Sequence, residues 1–269
     1  MLNLIRMNVY RLIKSKFVIG LIMVAVVSSI FAIGMVDVDE SSLEYEIMME
    51  QGVDATEKGF GFTITSMLDP TVTAVMEGVL HSGLLLIAIS VFAVMFSGGE
   101  KNSGYLKNIV LPKKKKFYLF VAKLVPVSIF SALCFAVSIF SVLCTVGQLE
   151  FGAIALLIPE MTIQLLLHIA FAACMLAYME LFRNQAIGLV LAFFGSTGAH
   201  LVGVKLLEDA LAGFGIPRFL MFGEKMIVVA TGGMSVEMPE AFLSCTMTAV
   251  FGIIMYMVMG SVIFSKKDV

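Results

Sequence analysis

Residues 124–146 read LVPVSIFSALCFAVSIFSVLCTV and contain no charged side chain. A transmembrane helix needs about 20 consecutive apolar residues, because each residue advances about 1.5 Å across a hydrocarbon layer of about 30 Å. This stretch is long enough to cross that layer. A single segment in lipid satisfies its backbone polar groups only as a helix, so the stretch predicts an all-α integral membrane protein.

The composition of the whole chain supports the same class. Of its 269 residues, 59% are hydrophobic and 14% are charged, and the mean hydropathy is +1.00. That leaves too little polar surface for a soluble domain. We predict one transmembrane domain, residues 1–269, with six spans at 17–36, 79–97, 124–146, 161–182, 185–206 and 242–264. The first span is longer than the apolar part of a signal peptide, and no small-residue cleavage site follows it.

The charged residues divide between the two sides of these spans. Most of the 18 basic residues lie on one side of the membrane, which holds the two termini, the connection between spans two and three, and the connection between spans four and five. They are Arg6, Arg11, Lys14, Lys16, Lys101, Lys107, Lys113, Lys114, Lys115, Lys116, Lys123, Arg183, Lys266 and Lys267. The opposite side keeps Lys58, Lys205, Arg218 and Lys225, with most of the 20 acidic residues. Because cytoplasmic loops carry an excess of lysine and arginine, both termini are predicted to be cytoplasmic, N-in/C-in.

Three segments outside the spans have their own character. Residues 1–16 form an amphipathic helix that we expect along the inner leaflet surface, and a cytosolic extension of span one fits the same pattern. Its apolar face carries Leu2, Ile5, Val9, Leu12 and Ile13. Residues 37–77 form an acidic segment that we expect outside the membrane. It is either a solvated face whose charge only sets the topology or a surface that attracts cationic peptides. Residues 207–241 are rich in glycine and proline and predict broken helix and loop.

A cytoplasmic stretch between spans two and three, residues 97–107, reads SGGEKNSGYLK. Its glycines have the spacing of a phosphate-binding loop, but Tyr105 and Leu106 stand where that loop needs its lysine and hydroxyl side chains. Glu100 instead suits the first turn of a short helix that Pro112 ends. The apolar stripe of this helix needs a partner surface and consists of Tyr105, Leu106, Ile109 and Val110. The alternative is a basic loop at anionic headgroups, which residues 113–116 would explain alone.

The whole chain resembles the type-2 ATP-binding-cassette (ABC) permeases, the membrane subunits of many bacterial exporters. The resemblance rests on the amphipathic N-terminal helix, the six spans with both ends inside, and a connection carrying Glu100, Gly104, Leu106, Lys107, Asn108, Pro112, a basic cluster and Lys123. In that family the glutamate-to-glycine segment is a coupling helix that docks on a separate ATPase. The resemblance thus implies a coupling region at 98–116 with the docking residues Glu100, Gly104, Tyr105, Leu106, Ile109 and Val110. The chain departs from the pattern in Tyr105, where threonine is common, and in the lysines at 113–116, where a Ser-Arg pair is common.

The resemblance also implies a function. The chain would be the transmembrane subunit of an ATP-driven exporter in a bacterial cytoplasmic membrane, most like exporters of peptides, bacteriocins and phenol-soluble modulins. Its implied partners are a separate ABC ATPase, which would bind ATP and magnesium, and a second copy of itself in a 2+2 assembly. We expect no cofactor or metal bound by this chain, no enzymatic activity of its own and no nucleic-acid partner.

The residues argue against two other classes of membrane protein. An intramembrane enzyme would need chemical groups that assemble, but His81, His168 and His200 lie on three predicted spans without an HExxH motif. Glu180 and Arg183 suggest an ordinary ion pair at a helix end. The four cysteines show no CxxC spacing and are interpreted as small apolar residues: Cys134, Cys144, Cys174 and Cys245. A secondary transporter would place charges near the bilayer midplane, and the predicted span interiors contain almost none.

Span five carries a small-residue stripe at four-residue spacing. It consists of Gly188, Ala192, Ser196 and His200. Small residues allow two helix backbones to approach closely in lipid. The stripe therefore predicts packing against another helix, either at the interface between two copies or within one copy.

Overall fold

The computed structural model describes residues 2–36, 76, 79–80, 83–102, 113–146, 151–198, 227, 230–231 and 239–266. These parts of the chain form seven helices and contain no strand, which confirms the all-α class. The helices are α1 (Leu2–Lys14), α2 (Lys16–Val36), α3 (Gly83–Asn102), α4 (Lys113–Val146), α5 (Phe151–Phe182), α6 (Gln185–Ser196) and α7 (Pro239–Lys266).

Four of these helices contain stretches that are long and apolar enough to cross a membrane. They are Gly83–Glu100, Tyr118–Cys144, Leu157–Phe182 and Phe242–Lys266, and they correspond to predicted spans two, three, four and six. Predicted spans one and five contain the shorter apolar helices Val18–Val27 and Gln185–Ser196 within the described residues. The structure thus supports a membrane protein, and the count of six spans with cytoplasmic termini remains a prediction.

Helix α1 is a separate element that packs on the bundle. Ser15 interrupts the helical backbone between α1 and α2. The buried amide of Asn8 donates to the carbonyl oxygen of Ala122 in α4 at 3.2 Å, and Leu12 is buried on the same side. Ile13, predicted to share the apolar face of Leu12, is instead 76% exposed. The Asn8 hydrogen bond and the buried Leu12 side chain therefore help to hold this helix against the bundle.

Helices α3 and α5 form the centre of the bundle. The run from Ala170 to Ala177 in α5 is buried on every side of the helix, because small residues alternate with larger ones and let neighbouring helices approach. Helix α5 packs against α3, α4, α6 and α7. Helix α7 lies at the periphery, where Leu243, Met247 and Phe251 are each more than 60% exposed. Such apolar exposure suits contact with lipid.

The connection between α5 and α6 reverses the chain in two residues. Arg183 takes a positive φ of 56°, which ends α5, and the Asn184 side chain caps α6 by accepting from the backbone N–H of Ala186 at 2.9 Å. The sequence prediction placed this boundary between residues 182 and 185, where the structure has it. Its short turn brings α6 back against α5 and α3.

Candidate functional site

The most unusual feature of the described bundle is a cluster of four charged side chains, Arg11, Glu100, Lys123 and Glu180, which we call the ionic cluster. Each comes from a different helix: α1, α3, α4 and α5, respectively. Glu100, Lys123 and Glu180 are at most 2% exposed. Charged residues are almost never this buried unless they are paired, so the cluster needs a physical account.

Glu100 lies in the last turn of α3, which continues to Asn102. We had expected this residue in the first turn of a separate short helix, where the positive end of the helix dipole favours a carboxylate. That expectation is wrong. The C-terminal end of a helix disfavours a negative charge by up to about 1 kcal/mol, so Glu100 depends on nearby cations. Arg11 Nη1 pairs with Oε1 of Glu100.

Lys123 is the centre of the cluster. Its Nζ lies 2.8 Å from Oε2 of Glu100 and 2.9 Å from Oε1 of Glu180. The hydroxyl of Ser97, one helical turn before Glu100, donates to the same Glu180 oxygen at 3.4 Å. One ammonium therefore bridges two carboxylates on different helices, and two cations balance two anions across the cluster.

Aromatic rings complete the shell around both cations. The guanidinium carbon of Arg11 lies 4.8 Å from the ring centroid of Phe96 in α3, and Nζ of Lys123 lies 5.2 Å from that of Phe264 in α7. Rings at these distances attract a cation through their negative faces. The second contact adds α7 to the elements that the cluster connects, which makes five helices.

Two sequence interpretations need correction here. Glu180 was expected to pair with Arg183 at a helix end, but its carboxylate pairs with Lys123, and Arg183 is exposed. Span three was predicted to begin at residue 124, after Lys123, but Lys123 lies within the candidate span Tyr118–Cys144, near its start, as Glu180 lies near the end of Leu157–Phe182. The sequence does signal that these charges need partners, although it does not say which. A charge embedded in apolar sequence must find a counter-charge, and each of the four helices contributes one.

A second buried polar group lies along α5. Glu160, Gln164 and His168 recur at four-residue spacing and are all 0% exposed, and we call them the polar column. The Gln164 amide donates to the carbonyl of Thr231 at 2.8 Å, and Nδ1 of His168 lies 2.8 Å from the carbonyl oxygen of Gln164. Span four was predicted to begin at residue 161, but α5 begins at Phe151. Glu160 therefore belongs to the candidate span Leu157–Phe182, which the sequence boundaries had missed.

The small-residue stripe packs within the chain. Gly188, Ala192 and Ser196 are buried in the bundle. A Cβ on Gly188 would collide with the Met179 sulfur of α5 and meet Val94 of α3 at 2.9 Å. For these three residues the structure therefore supports the intramolecular alternative, while His200 lies outside the described residues.

Most of the expected docking residues also lie outside the described residues. These are Gly104, Tyr105, Leu106, Ile109 and Val110. The structure does describe the two helices that lead into and out of them, α3 ending at Asn102 and α4 beginning at Lys113. The two flanking charges Glu100 and Lys123 are brought together by the ionic cluster.

The described residues contain no group of three or more histidine, cysteine or acidic side chains that could hold a metal ion. All four cysteines lie in described helices without forming a disulfide, and Cys144 alone of them is exposed. Compared with protein-family models and with curated proteins, the chain matches none.

Proposed function

We propose that this chain is the membrane subunit of an ATP-driven exporter of the type-2 ABC kind. The cargo is hydrophobic or amphipathic, a peptide or antimicrobial, and the energy comes from a separate ATPase that binds ATP and magnesium. One observation supports the proposal most strongly. The ionic cluster joins Glu100 and Lys123, which flank the segment expected to dock on the ATPase, at a 2.8 Å ion pair.

The cluster suits the transmission of force from that segment. A displacement of the residues between α3 and α4 would act first on Glu100 and Lys123, and through their partners on Arg11 in α1 and Glu180 in α5. Separating buried ion pairs leaves charges uncompensated and costs about 3–5 kcal/mol for each broken pair. The four paired helices are therefore expected to move together rather than one at a time. Alternating access requires this kind of concerted displacement.

The proposal includes six spans, cytoplasmic termini and a bacterial cytoplasmic membrane. On that topology the ionic cluster lies at the cytoplasmic end, next to the ATPase. The second copy is expected against α2 or α6, whose outward faces are exposed among the residues that the structure describes. On α2 that face carries Ile19, Met23 and Val27, each more than half exposed. A Met23→Cys variant without its native cysteines should form a disulfide-linked dimer in membranes if two copies meet there.

Co-expression with the genomically adjacent ATPase tests the central claim. The Tyr105→Ala/Leu106→Ala double variant should insert normally, lose the ATPase on purification and lose substrate-stimulated ATP hydrolysis, because interface energy concentrates in a few anchors. A variant with glutamine in place of the four lysines at residues 113–116 is the matched comparison, since it removes their positive charge and leaves the apolar stripe intact. An ATPase that stays bound and active with the double variant contradicts docking at this stripe. Nucleotide binding by the isolated chain would contradict the proposal that a separate ATPase binds the ATP.

A proton-coupled secondary transporter is the second candidate, and the polar column favours it. Ionisable residues within a membrane bundle are functional-site hypotheses, and Glu160 and His168 lie two turns apart on one buried face of α5. Reconstituted protein separates the two functions. Transport driven by a pH gradient without any ATPase, and abolished by Glu160→Gln, would favour the secondary transporter. Transport that requires ATP and the partner would favour the exporter.

A further inference from the structure

A crevice of about 350 Å³ opens between α1 and α3 beside the ionic cluster. Tyr10 and Lys14 of α1 form one wall, and Phe92, Met95 and Phe96 of α3 form the other. Its volume lies within the range of roughly 300–1,000 Å³ that is typical of small-molecule sites. The crevice thus has an apolar floor and a basic rim.

The charge at the rim belongs to Lys14. Arg11 also lines the crevice, but its guanidinium is paired with Glu100. Lys14 is exposed, and its Nζ lies 5.0 Å from the ring centroid of Tyr10. Residues 1–36 contain Arg6, Arg11, Lys14 and Lys16 and no acidic residue, so the potential around the crevice is positive. An occupant with a negative head and an apolar body complements both parts of the crevice.

A second copy of this chain does not fit that requirement. A symmetric contact through this face would bring each copy's Lys14 and Lys16 towards the same residues of the other, and like charges in an interface are unfavourable. A lipid does fit. Phospholipids surround a membrane protein at high concentration, and basic residues near the membrane surface attract anionic ones at about 1 kcal/mol for each lysine or arginine.

We propose that the crevice between α1 and α3 binds an anionic glycerophospholipid. The phosphate lies at Lys14, and an acyl chain lies along Met95 and the exposed ring of Tyr10. This inference depends on the membrane character of the chain and on neither an ATPase nor an exported substrate, so it stands or fails separately from the proposed function.

A tryptophan probe makes the site measurable, because the chain contains no tryptophan. Tyr10→Trp places a single fluorophore in the crevice wall and keeps an aromatic face for Lys14. The variant is reconstituted in mixed vesicles in which either phosphatidylglycerol or phosphatidylcholine carries brominated acyl chains, which quench nearby tryptophan. We expect several-fold stronger quenching by the brominated phosphatidylglycerol at equal mole fraction. Phe251→Trp is the reference variant, because Phe251 lies on α7 and is 68% exposed. Its tryptophan should be quenched equally by the two brominated lipids.

Two matched pairs of substitutions in the Tyr10→Trp protein localise the effect. Lys14→Gln should lower the preference for phosphatidylglycerol about five-fold, whereas Lys16→Gln removes the same charge outside the crevice and should change it little. Gly99→Leu should fill the crevice and abolish the preference. Gly20→Leu is the control. A Cβ meets no atom within 4 Å at either glycine, but Gly20 lies outside the crevice.

Three results would overturn the proposal. Equal quenching by the two lipids at position 10 would show that no selective site exists. Equal losses for Lys14→Gln and Lys16→Gln would reduce the effect to surface charge. Loss of the preference on adding glycerol 3-phosphate at a concentration equal to that of the lipid would show that the acyl chain adds nothing and that the crevice binds a small anion rather than a lipid. Circular dichroism of each variant confirms that the helices are intact.

Discussion

Removal of the central cation of the ionic cluster is the sharpest test of this structure. Lys123→Met keeps an unbranched apolar stem that is one atom shorter but leaves Glu100 and Glu180 buried without their shared ammonium. Breaking a buried ion pair from one side costs about 3–5 kcal/mol, because an uncompensated charge remains. For a chain of this size, each kcal/mol lowers the melting temperature by roughly 2–4 °C. The expected decrease is therefore roughly 6–20 °C.

A double-mutant cycle distinguishes loss of the pair from loss of packing. Glu180→Met alone should also destabilise the protein, since it removes one carboxylate and leaves an excess positive charge. The Lys123→Met/Glu180→Met double variant restores charge balance, with Arg11 and Glu100 still paired. It should therefore be more stable than the sum of the single effects predicts, by about 1–3 kcal/mol.

The assay is thermal unfolding in detergent followed by circular dichroism, with Lys16→Met as the control. Lys16 is an exposed lysine at the start of α2, so its loss should change the free energy of unfolding by less than about 0.5 kcal/mol. If Lys123→Met unfolds at the same temperature as Lys16→Met, or if the two single effects simply add, the cluster is not a coupled buried network and the reasoning fails.

Three further predictions concern packing and the outer segment. Ala192→Leu, at a fully buried position of α6, should destabilise the monomer by about 1–3 kcal/mol through overpacking; an unchanged melting temperature in detergent would contradict burial within one copy. Gly260→Leu should be more destabilising than Gly20→Leu, because a Cβ on Gly260 collides with the Phe120 ring while Gly20 faces open space; equal melting temperatures would contradict that contact. The third prediction concerns four carboxylates of the segment predicted to lie outside: Asp37, Asp39, Glu40 and Glu44. Their neutralisation should change the uptake of cationic peptides into vesicles more at low salt than at high salt; an unchanged uptake at low salt would leave only a role in topology.

The helices could be predicted from sequence because each depends on the hydropathy of contiguous residues. A run such as residues 124–146 must be a helix in lipid whatever surrounds it. The turn after Phe182 lies in the gap between predicted spans four and five, where Arg183 and Asn184 interrupt the apolar sequence. The ends of the helices were less predictable. α5 begins ten residues before predicted span four, because Pro159 and Glu160 lie inside the helix instead of ending it. α3 continues through Gly98 and Gly99, because packing stabilises helical turns that local composition does not require.

The sequence by itself determined the all-α class, the membrane character and the rough position of the apolar helices, since these depend on hydropathy summed along contiguous residues. Only the tertiary structure decided which charges meet. Arg11 and Glu100 are 89 residues apart in the chain, and Lys123 and Glu180 are 57 apart. No local pattern encodes such a pairing, because it depends on how α1, α3, α4 and α5 pack. The same packing turned the stripe of Gly188, Ala192 and Ser196 towards the chain's own helices.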